Sequence, residues 1–318
     1  DRCISCSRCI RFCDEVAKDA ELTFVKRGDR VTITTFPGEQ LDNPYAMNVV
    51  DICPVGALTN RDFRFKARVW DMAHTNTICN GCARGCNIEV WTRNNEVLRL
   101  VPRYNEEVNS YWMCDHGRLN TFKFINAGDR IDGPHMRVEG NLIKVGWDEA
   151  FAKAASNLKA FGKDEIAFLG SAYATVEDNF VAAKFAKSVL GTGNLDFVRH
   201  IDPTFGDEIL RNEDVTPNTK GAELAGVAPS KNGFDFNGIV KAIREGKIKA
   251  LYVLEDDILN DSLELENVLA KLDLLIINAS NFNKTSSLAD IVFPAATYAE
   301  KNGTFVNFQG RVQRIRPA

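Results

Sequence analysis

The chain has 318 residues, of which 45% are hydrophobic and 26% are charged, a composition that is ordinary for a globular protein of two or three domains. Its 39 basic and 43 acidic residues leave a net charge of −4, so there is no electrostatic reason to expect a nucleic-acid partner. The longest apolar runs, such as residues 272–279, fall far short of the about 20 residues that a membrane-spanning helix needs, and no direct membrane span is expected.

The first predicted region covers residues 1–72. It is rich in Arg, Asp and Cys and has a strand-like stretch at 31–35, which indicates a small cluster-binding fold. Because the first motif residue is already Cys3, we interpret the chain as part of a longer protein and this region as truncated at its N-terminus. All nine cysteines lie within the first 114 residues, which points to metal or redox chemistry rather than to the disulfide framework of a small secreted domain.

The first cysteine set opens with three cysteines at two-residue spacing: Cys3, Cys6 and Cys9. Such a loop can hold three corners of a [4Fe–4S] cluster, and the fourth ligand must come from elsewhere. Cys13 has the ferredoxin spacing but is followed by Asp14, whereas Cys53 is followed by Pro54. We therefore predict that Cys53 is the fourth ligand and that Cys13 is a small buried apolar side chain. A structural zinc site is the alternative, although zinc usually takes two C-x2-C pairs.

The second predicted region, residues 73–127, holds the other cysteine set. Strand-like runs at 88–92 and 97–101 indicate a hairpin with its turn at 93–95. A second [4Fe–4S] cluster is predicted on three local cysteines and one remote cysteine: Cys79, Cys82, Cys86 and Cys114. Gly81 and Gly85 would leave backbone room beside it. Arg84 and Arg118 would either place positive charge near this cluster or be solvated surface side chains.

From residue 128 the pattern changes to that of an α/β fold. A hairpin is predicted at 136–145, and an amphipathic helix at 148–161 with Asp148 as its N-cap. One face of this helix is predicted to carry its apolar residues: Ala150, Phe151, Ala154, Ala155, Leu158 and Phe161. Further helices are predicted at 177–190, 237–245 and 264–271, and buried strands at 166–169, 250–254, 274–278 and 290–293. This alternation favours a mainly parallel sheet covered on both faces, while 202–236 is predicted to be a long loop.

Together, the two cysteine sets resemble the large iron–sulfur subunit of NADH:quinone oxidoreductase, respiratory complex I. The resemblance rests on the cysteine sets and their flanking motifs at 2–11, 51–59, 70–72, 79–86 and 114–118. The later part resembles the molybdopterin oxidoreductase superfamily through motifs at 145–150, 217–222, 300–307 and 310–313. The resemblance implies a ferredoxin-like [4Fe–4S] region at 1–72, a second [4Fe–4S] domain at 73–127 and a mainly parallel α/β/α domain at 128–318, truncated at both ends.

The resemblance also implies a function. The chain would relay electrons from NADH and FMN toward quinone without a catalytic residue of its own, the first cluster lying on the main path and the second off it. A [2Fe–2S] cluster and a further [4Fe–4S] cluster would bind upstream of residue 1. The partners would be other peripheral-arm subunits, namely the FMN- and NADH-binding subunit and the downstream iron–sulfur subunits, at the cytoplasmic face of the bacterial inner membrane.

Two alternatives remain open at this point. The catalytic subunit of an NAD-dependent formate dehydrogenase shares both regions but adds a molybdenum or tungsten bis-pterin held by a cysteine or selenocysteine. This chain has no cysteine after Cys114, and our alignment places Asp202 at the metal-ligand position and His116 where that family has a lysine. Although an aspartate ligates molybdenum in other relatives, no molybdopterin is expected here. The second alternative is a scaffold without redox activity that binds zinc.

Overall fold

A computed structural model describes residues 2–259, 262 and 264–318. The N-terminal part is made of short elements: helix α1 (Arg8–Arg11), strands β1 (Thr23–Val25) and β2 (Thr32–Thr34), and helix α2 (Asn48–Ile52). A π-helical turn, Phe12–Val16, continues α1. The two strands pair antiparallel, and the sequence pattern predicts only β2. The helices pack around a buried cluster that includes Phe12, Tyr45 and Val49.

The middle part is a three-stranded antiparallel sheet of β3 (Ala73–Ile78), β4 (Asn87–Arg93) and β5 (Glu96–Pro102), followed by helix α3 (Asp115–Leu119). The predicted hairpin is confirmed as β4 and β5. Asn94 and Asn95 make its turn with φ angles of 52° and 62°, the left-handed conformation that a tight hairpin turn requires. The sequence pattern does not predict strand β3, because three of its six residues are Thr or Asn and no apolar alternation marks it.

A seven-stranded sheet forms the centre of the third part, within the described residues. Its strands are β6 (His135–Val138), β7 (Asn141–Lys144), β8 (Ile166–Gly170), β9 (Asn194–Phe197), β10 (Ala250–Leu254), β11 (Leu274–Ala279) and β12 (Ile291–Pro294). The order is β7-β6-β12-β11-β10-β8-β9. Strands β12 to β9 in this order are parallel, and the β6–β7 hairpin adds antiparallel at the β12 edge. The predicted hairpin and the mainly parallel sheet are therefore confirmed.

Helices cover both faces of this sheet. They are α4 (Trp147–Lys159), α5 (Val176–Phe185) with a π-helical turn Ala186–Leu190, α6 (Thr219–Leu224), α7 (Phe236–Arg244), α8 (Glu264–Leu269) and α9 (Lys284–Leu288). On one face α7 and α8 bury Ile243 and Val268 against Val253 of β10. On the other face α4 buries Leu158 against Ile276 of β11.

Three predictions in this part were wrong in detail. Gly146, with extended backbone, is the N-cap of α4, and Asp148 lies in the first turn, where a carboxylate favours the helix dipole. The predicted apolar face is also split, because Phe151 is 54% exposed above an open apolar groove. The stretch 202–236 is not a continuous loop, since α6 lies within it.

The last described elements connect the third part to the second. Strands β13 (Gly303–Val306) and β14 (Val312–Ile315) form an antiparallel hairpin. Phe305 and Ile315 share a buried cluster with Ile78 and Ile88 of the three-stranded sheet. The chain that follows the seven-stranded sheet is thereby folded back onto the second cysteine set. No helix of the described residues has the length and apolarity needed to cross a bilayer.

Candidate metal centres

The structure brings the first cysteine set together around one cavity of 490 Å³. Its wall includes all four predicted ligands: Cys3, Cys6, Cys9 and Cys53. Cys3 and Cys6 are exposed, Cys9 is buried and Cys53 is half-buried. Ser5 and Ser7 adopt left-handed backbone, with φ angles of 55° and 59°, and this curls the cysteine loop before α1 begins.

The surroundings of Cys53 favour its thiolate, whereas burial raises the pKa of Cys9. Burial raises the pKa of the Cys53 thiol, but hydrogen bonds from the backbone N–H groups of Leu58, Val55, Ala57 and Gly56 outweigh it, and the pKa is lowered. The Ser5 N–H also points at Cys3 Sγ, 3.4 Å away. Backbone N–H groups directed at sulfur are the usual way in which proteins stabilise an iron–sulfur cluster. Three arginines line the same cavity: Arg2, Arg8 and Arg64.

Cys13 lies elsewhere. It is fully buried in the apolar cluster of Phe12, Leu22 and Tyr45. Burial, reinforced by the nearby Glu21 carboxylate, raises the pKa of its thiol to about 11. A thiol with such a pKa stays protonated and packs as a small apolar side chain.

The second cysteine set is enclosed by protein. Its four side chains, Cys79, Cys82, Cys86 and Cys114, are each no more than 7% exposed. Cys79 follows β3, Cys86 precedes β4, and Cys114 is the N-cap of α3, where its Sγ accepts from the Gly117 N–H at 3.3 Å. A Cβ added to Gly117 would lie 3.1 Å from Cys79 Sγ and 3.5 Å from Cys114 Sγ. The remote cysteine is therefore beside a local one.

Burial and the neighbouring thiols raise the pKa values of cysteines in this second set. Burial raises the pKa of Cys114 to about 11 and that of Cys86 well above its ordinary value, and the other three thiols raise the pKa of Cys86 further. Thiols must lose their protons to bind a metal, and a bound cation offsets the cost of the buried negative charge. Iron supplies such charge, so the donor set fits a thiolate-bound cluster.

Residues from the third part close this site. Gln313 of β14 donates through Nε2 to the Gly85 carbonyl at 2.8 Å and accepts from Asn87 at 3.0 Å. The Phe308 N–H donates to the Ala83 carbonyl, and the Ala83 N–H donates to the Asp214 carbonyl. The loop that carries Cys82 is thus held by segments more than a hundred residues away, which no local pattern could reveal.

The predicted auxiliary residues differ in position. Arg118 is only 3% exposed and pairs with Asp51, so it is a buried charge and not a surface one. Arg84 is half-buried and donates to the Val108 carbonyl at 2.8 Å. Gly85 has a φ of 66°, and a Cβ there would meet Gln313 at 2.6 Å. Sequence reasoning missed the role of Gly117, although its place three residues after Cys114 was a usable signal.

Comparison with protein-family models matches residues 130–218 and 218–318 to the model described as Molybdopterin oxidoreductase. The chain belongs to the molybdopterin oxidoreductase family. In this family member, residues 1–59 match the model NADH-quinone oxidoreductase subunit 3, ferredoxin-like domain. Residues 72–121 match NADH-ubiquinone oxidoreductase NDSU1/NuoG-like, 4Fe-4S domain. The predicted fold class and family resemblance are confirmed, and iron–sulfur domains are indicated in both cysteine-containing regions.

Curated relatives carry matching names. The NADH-quinone oxidoreductase G subunit of Rickettsia felis is 30% identical over 320 residues, which are 95% of this chain and 46% of the relative. The corresponding protein of Rickettsia bellii is 32% identical over 286 residues, 86% of this chain and 40% of the relative. NADH-quinone oxidoreductase subunit 3 of Thermus thermophilus is 39% identical over 200 residues, 62% of this chain and 25% of the relative. This molybdopterin oxidoreductase family member spans less than half the length of each.

The family name raises the question of molybdenum. The residue that our alignment puts at the metal-ligand position, Asp202, is exposed, and its carboxylate accepts from the N–H and hydroxyl of Thr204 at 2.9 and 2.6 Å. His116 packs edge-on against Phe205, and burial lowers its pKa, so it does not supply the positive charge of the family's lysine. An exposed carboxylate bonded within its own turn does not fit a buried molybdenum centre.

Proposed function

We propose that this chain is an electron-transfer subunit of an NADH:quinone oxidoreductase, respiratory complex I, and holds two [4Fe–4S] clusters. The proposed ligands are Cys3, Cys6, Cys9 and Cys53 for the first cluster and Cys79, Cys82, Cys86 and Cys114 for the second. We further propose the division into 1–72, 73–127 and 128–318 as two cluster-binding regions and an α/β domain without molybdopterin. Clusters held there would supply one-electron oxidation and reduction.

The observation that carries the proposal is the grouping of eight thiols into two sets of four. In each set a cysteine distant in sequence, Cys53 or Cys114, lies with three local ones. Backbone N–H groups point at sulfur in both sets. The spare cysteine, Cys13, shares an apolar cluster with Cys9 and Cys114 but does not line the cavity of the first set.

The spacing of the cysteines along the chain favours clusters over zinc, which usually takes two C-x2-C pairs. Across residues 2–259, 262 and 264–318, no three His, Cys, Asp or Glu side chains converge closely enough to hold a single metal ion. Four thiolates on one zinc would each stand about 2.3 Å from a common point. In a cubane each cysteine binds a different iron atom, so the sulfurs lie further apart. The three local cysteines and one remote cysteine of each set support a cluster.

The names of the relatives support the choice of complex. Those described above are subunits of NADH-quinone oxidoreductase, which favours this complex over formate dehydrogenase. We propose the first cluster on the main path from FMN to quinone and the second off it, with NADH, FMN and quinone bound by other subunits. The remaining parts of the intact protein would add a [2Fe–2S] and a further [4Fe–4S] cluster, and the assembly would lie in a peripheral arm at the cytoplasmic face of the bacterial inner membrane.

The test compares three cysteine variants in the assembled complex by iron and sulfide content, low-temperature EPR and NADH:quinone turnover. Cys9→Ser is expected to lose about four iron atoms per chain and all quinone reduction. Cys82→Ser is expected to lose a similar amount of iron and to lower assembly yield, while each assembled complex still turns over. Cys13→Ser is the matched control and should change neither iron content nor turnover.

Different outcomes contradict different parts. A colourless wild-type protein with stoichiometric zinc would remove the clusters from the proposal. If Cys82→Ser stopped turnover in fully assembled complex, the second cluster would belong on the main path. Molybdenum at about one atom per chain, together with formate oxidation, would show that the protein is a formate dehydrogenase and not a complex I subunit.

A further inference from the structure

We propose that a partly buried ion pair, Asp51–Arg118, joins the two candidate cluster sites and shifts the reduction potential of both. The inference rests on the proposed function, because it assumes a cluster at each site. It assigns Asp51 and Arg118 as positioning residues, since neither contributes a ligand. The two residues come from different cysteine-bearing segments of the chain and meet in its interior.

The cation belongs to the second site. Arg118 lies in α3, the helix capped by Cys114, and follows Gly117, against which the thiols of Cys79 and Cys114 pack. Its side chain is only 4% exposed. Nη2 donates to Asp51 Oδ2 at 2.5 Å and to Asn48 Oδ1 at 3.3 Å. A guanidinium in this place cannot move into solvent without breaking these bonds.

The anion belongs to the first site. Asp51 lies in α2, which ends at Ile52 immediately before Cys53. Its side chain is 33% exposed, so the carboxylate is partly shielded from water. The pair thus has its negative end on the helix that leads to one proposed ligand and its positive end on the helix that begins at another.

Three further hydrogen bonds hold the same segments in register. Asn48 is fully buried, donates to the Met113 carbonyl at 2.8 Å and accepts from the Met113 N–H at 3.3 Å. On the other side the Met47 N–H donates to Asp115 Oδ1 at 3.0 Å. Because these contacts do not depend on the ion pair, neutralising one charge leaves α2 attached to the segment around Cys114.

A third charge lies near the pair. Burial lowers the pKa of the half-buried Arg99, and Asp51 opposes this effect while Arg118 adds to it. Removing the charge of Arg118 therefore leaves Asp51 with a neighbouring cation, which limits the cost to folding. Neutralising either Asp51 or Arg118 alone still changes the local charge by one unit.

The signs of the expected shifts follow from the charges. Reduction adds an electron to a cluster, so a nearby positive charge favours the reduced form and a negative charge disfavours it. Loss of Arg118 should lower both potentials, and neutralisation of Asp51 should raise both. At an effective dielectric constant of about 20, loss of a nearby unit charge is expected to change the ratio of reduced to oxidised cluster by about tenfold, which is 59 mV for a one-electron couple.

The experiment is an anaerobic redox titration of the full-length protein followed by EPR, with iron content measured on each sample. Arg118→Gln should lower the midpoint potential of both clusters, Asp51→Asn should raise both, and the double variant should return toward wild type. Arg118→Lys keeps the charge and should stay near wild type. Glu165→Gln and Lys249→Gln are the matched controls, because they break an ion pair of 2.6 Å at the start of β8 and β10, and they should shift neither potential.

The outcomes separate the two proposals. A wild-type protein without cluster signals contradicts the proposed function. Signals that are present but do not move in opposite directions in Arg118→Gln and Asp51→Asn overturn the ion-pair inference, as does a shift confined to one cluster. If Arg118→Gln loses a cluster, the titration of Asp51→Asn decides alone. A rise in both midpoint potentials supports the inference, and two unchanged midpoint potentials overturn it.

Discussion

Gly117→Ala tests whether the space beside Gly117 is reserved for two sulfur atoms. Gly117 lies in α3 without a positive φ, so alanine fits the backbone. The added Cβ would approach Cys79 Sγ to 3.1 Å, and both Cys114 Sγ and Met113 Cε to 3.5 Å. Since ordinary contacts between heavy atoms begin at about 3.5 Å, the Cys79 thiol must retreat by about 0.4 Å.

The expected energies show that metal retention is a more sensitive measurement than the free energy of unfolding. Alanine gains about 1 kcal/mol over glycine in a helix, while overpacking a dense interior costs about 1–3 kcal/mol. The two effects nearly cancel in the free energy of unfolding of the polypeptide. A metal site, in contrast, tolerates only about 0.5 Å of ligand displacement, and disturbed support of its ligands typically costs about tenfold or more in metal affinity.

The assay is retention of iron at the second site during anaerobic incubation with a chelator, with thermal unfolding as the companion measurement. Gly117→Ala should lose the second cluster about tenfold faster than wild type and keep the first. Gly128→Ala is the control, because nothing lies within 4 Å of its Cβ position. Equal iron retention in Gly117→Ala and Gly128→Ala would refute the reasoning, because it would show that the methyl group at position 117 does not displace the Cys79 sulfur.

Two further predictions concern the α/β part. Gly303→Ala should lower the free energy of unfolding in urea by about 1–3 kcal/mol, because its Cβ would stand 2.4 Å from Thr175 Cγ2; unchanged stability would mean that β13 can shift away from α5. Lys301→Met removes the partner of Asp178 and Glu255, each 2.8 Å from Nζ, and should cost about 3 kcal/mol at pH 7. Burial raises the pKa of Glu255, so in the variant this carboxyl becomes protonated as the pH falls and no longer leaves an unpaired buried charge. The loss of stability should therefore be smaller at pH 5 than at pH 7, and the same loss at both pH values would contradict this reasoning.

The fold was predictable where the hydrophobic pattern is local. Strands such as β10 and β11 are continuous apolar runs, and their burial on both faces follows from that pattern alone. Strand β3 and helix α6 were missed because their residues are largely polar and their stability comes from partners elsewhere in the chain. The cap of α4 was misplaced by two residues, since Gly146 and Asp148 are both acceptable near a helix N-terminus.

The candidate ligands could be predicted from the sequence, but the residues that hold those ligands in place could not. Cysteine spacing is sufficient to propose ligands, because the loop geometry of a cluster restricts it. The residues that hold those ligands, such as Asn48, Gln313 and the backbone of Asp214, are recruited across long sequence distances and show no local signature. The pairing of Asp51 with Arg118 could not be predicted either. Each residue belongs to a recognisable motif, but neither motif indicates that the two side chains are in contact.

Under the proposed function, the packing of β13 and β14 over the second cysteine set restricts when iron could enter. Phe305 and Ile315 seal this set from solvent, and they are synthesised about 190 residues after Cys114, an interval of about 10–40 s on the ribosome. Maturation factors would have to deliver iron and sulfide during this interval, or to a chain held open. The first set has Cys3 and Cys6 at the surface, so under the proposed function it could be filled after folding.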